Sequence, residues 1–72
     1  MRAYVLIPAH PDQTKYVFAA LEAIRGLEEL HEVTGPYDIV AKVKVTNLSD
    51  LSKSTRAIPG VLRTTILVAF PE

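Results

Sequence analysis

An α+β fold in the order β-α-β-β-α-β is predicted for this chain by three observations. Runs rich in Val, Ile and Leu at 2–7, 37–46 and 61–70 have the length and composition of strands. Apolar residues recur at helical spacing in two intervening segments, Val17, Ala20, Leu21 and Ile24, then Leu48, Leu51, Thr55 and Ile58. Glycine-containing breaks stand where a helix or hairpin should end, at Gly26, at Gly35-Pro36 and at Pro59-Gly60.

The first strand, 2–7, is apolar on both faces, as suits a central strand, and is bounded by Pro8. Ala9, His10, Pro11 and Asp12 form a connection, and Asp12 or Thr14 is expected to cap the first helix. The second strand, 28–34, is weaker. Leu30, Glu32 and Thr34 face one way and Glu29, His31 and Val33 the other, a polarity that suits a sheet edge. After the Gly35-Pro36 turn, the third strand sets Ile39, Ala41, Val43 and Val45 on a purely apolar face. Asp38, Val40, Lys42, Lys44 and Thr46 lie on a mixed one. Asn47 is a good cap for the second helix, with Asp50 near its N-terminus. The last strand, 61–70, has Leu62, Ile66, Val68 and Phe70 on one face and Val61, Leu67 and Ala69 on the other.

This order is the ferredoxin-like split pattern. Right-handed crossovers put the first and third strands in the middle of an antiparallel four-stranded sheet, with both helices on one face. The opposite face then carries large apolar side chains from several strands, which predicts a protein contact. Two such sheets packed face to face would close a dimeric α/β barrel.

Bulk properties point the same way. The 72 residues form a single domain, 1–72. A chain this short builds a core worth only about 3–5 kcal/mol on its own. It has no cysteine to add disulfides or thiolate metal sites, yet 49% of its residues are hydrophobic, a surplus that a subunit interface would absorb. Lys plus Arg and Asp plus Glu are balanced at 8 each, so phosphate-driven binding of nucleic acid is not expected. No apolar run approaches the roughly 20 residues that span a bilayer. The N-terminus is too short for a signal peptide and reads directly into a strand. A soluble cytoplasmic protein without membrane partners is expected.

Several chemistries lack their residues. RNA recognition on this fold needs stacking aromatics on the central strands, and 40–45 has none. Ferredoxin and copper-carrier readings need cysteines. An acylphosphatase-like site needs an Arg in a phosphate-cradling loop after the first strand, where Pro8, Ala9, His10 and Pro11 stand instead. His10 and His31, with Asp12 or Glu32, have no metal-ligand spacing. Ser49, Ser52 and Ser54 have no neighbouring base in sequence. No metal or cofactor is expected. One constellation survives: Gly35, Tyr37 and Asp38 at a turn, with Thr64 and Thr65 early in the last strand. A carboxylate, hydroxyls and free turn amides suit a small zwitterion. An ordinary turn and an ordinary strand would use the same residues.

The stretch V-T-G-P-Y-D-I-V-A-K-V-K-V, at 33–45, resembles the G-x-x-D-hydrophobic pattern of the effector-binding (RAM) domain of Lrp/AsnC-type transcription regulators. The stretch I-P-G-V-L-R-T-T-I-L-V, at 58–68, is similar to the last strand of that family, and the likeness extends over essentially the whole chain. The resemblance implies sheet-to-sheet dimers that assemble into larger rings. It also implies small effectors, commonly amino acids, bound between dimers near the hairpin turn and the last strand. By the same resemblance Gly35 and Asp38 are effector-site positions, with Tyr37 beside them. Thr64 matches the first of two threonines common in the last strand, and the second falls at Ile66, a departure that removes a hydroxyl. The regulators carry a helix-turn-helix ahead of this domain, whereas here Met1 leads directly into the first strand. The resemblance therefore implies a non-catalytic module without its own DNA reader, acting alone or with full-length Lrp/AsnC regulators to modulate transcription. The alternative is a small enzyme on a dimeric ferredoxin-like barrel, such as a cofactor-free monooxygenase. That reading requires His10 or Asn47 to enter a polar cavity between sheet and helices.

Overall fold

The computed structural model describes residues 1–71. Its elements are β1 (Arg2–Ile7), a 3-10 turn (Pro11–Gln13), α1 (Thr14–Leu21), β2 (Leu27–Glu32), β3 (Ile39–Lys44), α2 (Leu48–Arg56) and β4 (Thr65–Val68). The sheet order is β2-β3-β1-β4 with antiparallel pairing throughout, so β1 and β3 are central as the split pattern requires.

Strand alternation builds the core. Ala3, Val5 and Ile7 pair with Val43, Ala41 and Ile39 across the β1–β3 ladder, and all six are buried. Val17 and Leu21 of α1 and Leu51 of α2 join them, so both helices cover this face. Leu48, Ile58 and Ile24 pack around its margin. The buried Thr55 of α2 is satisfied within its own helix, its hydroxyl donating to the Leu51 carbonyl at 3.0 Å.

The opposite face is open. Tyr4, Leu6, Val40 and Leu67 form its apolar centre, with Tyr4 38% and Leu67 51% exposed. Charge surrounds that centre. Arg2 pairs with Glu28 at 2.9 Å, and Glu29 meets His31 at 3.2 Å and Lys42 at 3.6 Å.

The caps and breaks match the sequence reading in part. Asn47 accepts the Asp50 N–H at 3.2 Å as the α2 cap. Gly26, Gly35 and Gly60 all have positive φ. Asp12 and Thr14 do not cap α1. The chain enters that helix through the 3-10 turn led by Pro11, and the Thr14 hydroxyl instead donates back to the His10 and Pro11 carbonyls at 3.4 and 3.5 Å. Strand β2 begins earlier than expected, because a register shift between Leu27 and Glu29 lets Leu27 pair with Val43, and it ends earlier, at Glu32. Strand β4 is shorter than the predicted 61–70, since it can ladder only along β1. Val61 forms an isolated bridge to Ala9, while Leu62 and Phe70, 61% and 87% exposed, lie outside the strand.

Candidate functional site

The residues singled out at the hairpin turn gather at one end of the sheet, where β1 ends and β3 begins. Gly35 takes φ +111, a conformation other residues rarely adopt, with open space where a side chain would be. Tyr37 and Asp38 are half-buried. Asp38 is the tie point of this end. Its N–H donates to the Ile7 carbonyl at 3.0 Å, and its carbonyl accepts the Val33 N–H at 2.9 Å. Its carboxylate Oδ2 accepts the N–H of Ala9 at 2.8 Å. The other carboxylate oxygen has no partner among the described residues. Ala9 is buried, so removing the acceptor would strand a donor at a cost of about 1–3 kcal/mol.

Thr64 and Ile66 lie on the other side of β1. The register of Leu6 with Thr65 and of Val5 with Ile66 directs Thr64 and Ile66 toward the helix-covered side. Ile66 packs against the core, and the Thr64 hydroxyl lies 3.4 Å from that of Thr55. Thus Gly35, Tyr37 and Asp38 form one group and Thr64 and Ile66 another, with the end of β1 between them. Ala9 is not singled out by the sequence. Its contact with Asp38 spans 29 residues, and an alanine carries no chemical signal of such a role.

The alternative candidates are far apart. His10 is exposed next to Gly60, to whose carbonyl its N–H donates at 2.9 Å, whereas Asn47 caps α2 at the opposite end of the sheet. Beside Asn47 lies a cleft of about 400 Å³, between the end of α1 and the start of α2. Ile24 and Leu51 supply its apolar lining, and Arg25, Thr46, Asp50 and Ser54 its polar lining. A shallow concavity at Glu32, Val33 and Thr34 adjoins the hairpin turn. Among the described residues no group of three or more His, Cys, Asp or Glu is placed to hold a metal ion. No helix among them is long and apolar enough to cross a membrane.

The perturbed charges belong to the open face. Hydrogen bonding to Arg2 holds the Glu28 carboxyl below its ordinary range and raises Arg2 in turn. The hydrogen bond from His31, helped by Lys42, lowers Glu29 likewise.

Residues 2–72 match the family described as the Lrp/AsnC ligand binding domain. The chain belongs to this family. The HTH-type transcriptional regulator LysM of Sulfurisphaera tokodaii is 35% identical to it over 68 residues, which cover 89% of this chain and 49% of that protein. This Lrp/AsnC domain spans about half the length of the curated relatives it matches. TTHA0845 from Thermus thermophilus superposes with a TM-score of 0.88 at 31% identity, over 99% of this chain and 94% of that one. A feast or famine regulatory protein from M. tuberculosis, solved in complex with L-methionine, superposes with a TM-score of 0.73 at 32% identity, over 99% of this chain and 52% of that one. The curated relatives are named as transcriptional regulators.

Proposed function

We propose that this Lrp/AsnC domain is a non-catalytic, oligomeric module that binds a small effector, most suitably an amino acid, at the Gly35-to-Asp38 turn. In this reading it works in the cytoplasm and influences transcription, alone or through full-length regulators of its family. The observation that carries the proposal is Asp38: a half-buried carboxylate with one oxygen held by Ala9 and the other unpartnered among the described residues, inside the family's G-x-x-D pattern. The unpartnered oxygen suits an effector ammonium, and the turn amides around Gly35 suit its carboxylate. Ile66, where a second threonine is common in the family, removes a hydroxyl from the last strand. The related protein solved in complex with L-methionine supports an amino acid with an apolar side chain as the effector.

The same architecture supports oligomerisation. The open face exposes Tyr4 and Leu67 around an apolar centre with a charged rim, an arrangement suited to a second sheet. The shallow surface beside the turn is consistent with a site completed by a second subunit.

Titration calorimetry of the wild type and of Asp38→Ala against a panel of amino acids that includes L-methionine tests the reading. Loss of a charge-assisted contact worth about 1.5–3 kcal/mol should weaken affinity roughly ten- to hundredfold. No binding of any member by the wild type, or equal affinity in the mutant, would overturn this assignment.

A further inference from the structure

The two residue groups of the proposed site are separated by the end of β1, and the segment that follows β1 touches the surroundings of both. Pro8, Ala9 and His10 run between the hairpin turn and the connection from α2 to β4. On one flank, the His10 N–H donates to the Gly60 carbonyl at 2.9 Å and the Leu62 N–H donates to the Pro8 carbonyl at 3.0 Å. These bonds frame the isolated bridge between Ala9 and Val61. In an antiparallel pair framed this way, the enclosed residue directs its own N–H outward, away from the partner strand. For Ala9 that direction leads to Asp38, whose carboxylate accepts at 2.8 Å. Ala9 is only 4% exposed, so water cannot readily replace the carboxylate. Asp38 in turn is tied through its backbone to Ile7 and to Val33. Gly60 is confined as well: at φ +100, a side chain there would press on Gln13 and Val17.

We infer that the Pro8-Ala9-His10 segment couples the two sides of the site, and that Asp38 is the positioning residue that holds it there. The inference rests on the effector reading in calling these residues a site. The physical coupling stands on the hydrogen bonds alone. The carboxylate fixes the Ala9 amide, Ala9 fixes the bridge to Val61, and the bridge sets where the chain enters Thr64 and β4. A ligand ammonium that draws on Asp38 therefore acts on the last-strand side without touching it. Signal from the turn reaches β4 through the backbone of one short loop.

Amide hydrogen exchange of the full chain without ligand tests this, using wild type, Asp38→Ala and Asp38→Asn. The Ala41 amide on a central strand serves as the reference for global stability. In Asp38→Ala, exchange at Ala9, His10 and Leu62 should accelerate together relative to Ala41. The increase should be about tenfold or more, as expected when a charge-assisted hydrogen bond is lost. Asp38→Asn keeps a side-chain acceptor and should restore much of the protection. Acceleration at Ala9 alone, with His10 and Leu62 unchanged, would overturn the coupling, as would no acceleration at Ala9. Equal loss of protection in the alanine and asparagine variants would also overturn it. The effector reading fails separately, in calorimetry on the wild type.

Discussion

At the end of the sheet where β3 begins, the backbone and carboxylate of Asp38 hold Val33, Ile7 and Ala9, and the surface is shallow. At the other end, where β3 runs into α2, lies the cleft of about 400 Å³ with Arg25 and Asp50 on its walls. By enclosure the second end is the better pocket, and its volume is within the range typical of small-molecule sites. By chemistry the first end is favoured. Asp50 stands in the first turn of α2, where a carboxylate answers the helix dipole, and Asn47 is already occupied as the cap. Arg25 is an exposed side chain beside the glycine that ends the first helical segment. These groups have structural duties or open solvent, whereas Asp38 combines half-burial with an oxygen unpartnered among the described residues. A concavity within the chain is thus a poorer guide here than a turn with polar groups to spare.

The glycines give the strongest way to break this contrast. At Gly26, φ is +84 and an added Cβ would overlap the Lys44 carbonyl, a backbone atom that cannot swing aside. Gly26→Ala should therefore cost about 2–5 kcal/mol, the sum of backbone strain and overpacking. Gly35 has a comparable φ but nothing within 4 Å, so Gly35→Ala should cost only the strain, about 1–2 kcal/mol. Urea denaturation of both variants checks the ranking, and a reversed order would mean that the turn end is the more tightly packed.

A smaller effect sharpens the assignment of duties. Asn47→Ala should lower stability by about 1 kcal/mol through loss of the α2 cap, while leaving amino-acid affinity unchanged. A drop in affinity larger than the drop in stability would move the binding site to the cleft.

Most of the fold can be read from the residues because periodicity reports it directly. The limits of β1 and the alternation of Ile39, Ala41 and Val43 follow from which residues must be buried, and the α2 cap follows from the helix-capping chemistry of Asn47. What escapes such a reading depends on long-range pairing. The bulge near Glu28 and the short β4 are set by their partner strands, not by their own composition. Asp12 and Thr14 do not cap because Pro11 already starts a tighter turn ahead of α1. For the site, the Gly35-to-Asp38 turn is visible as a motif. Its bond to Ala9 is not, since no local pattern links a turn aspartate to an alanine across the sheet.

The smallest expected effect concerns acid. The Arg2–Glu28 pair lies on the open face toward the cleft end, and its hydrogen bond keeps Glu28 below the ordinary value of 4.5. A depressed carboxyl stabilises the fold above its unfolded value and loses that contribution as pH falls through the lower folded value. Thermal melts should therefore show Arg2→Ala and wild type converging in stability as pH drops below about 4.5, with the modest difference at neutral pH shrinking further in high salt. A difference that persists at low pH would show that Arg2 acts by packing.

Binding of an amino acid at the turn end, and not in the cleft, is the decisive difference proposed between the two ends. It is tested most directly by titrating isotopically labelled protein with the amino acid that calorimetry selects, and following backbone amide shifts by NMR. Perturbations should centre on Gly35, Tyr37, Asp38 and Thr64, with little change at Ile24, Thr46, Asn47 and Ser54. Perturbations concentrated on that second group, with Gly35 and Asp38 unmoved, would contradict it.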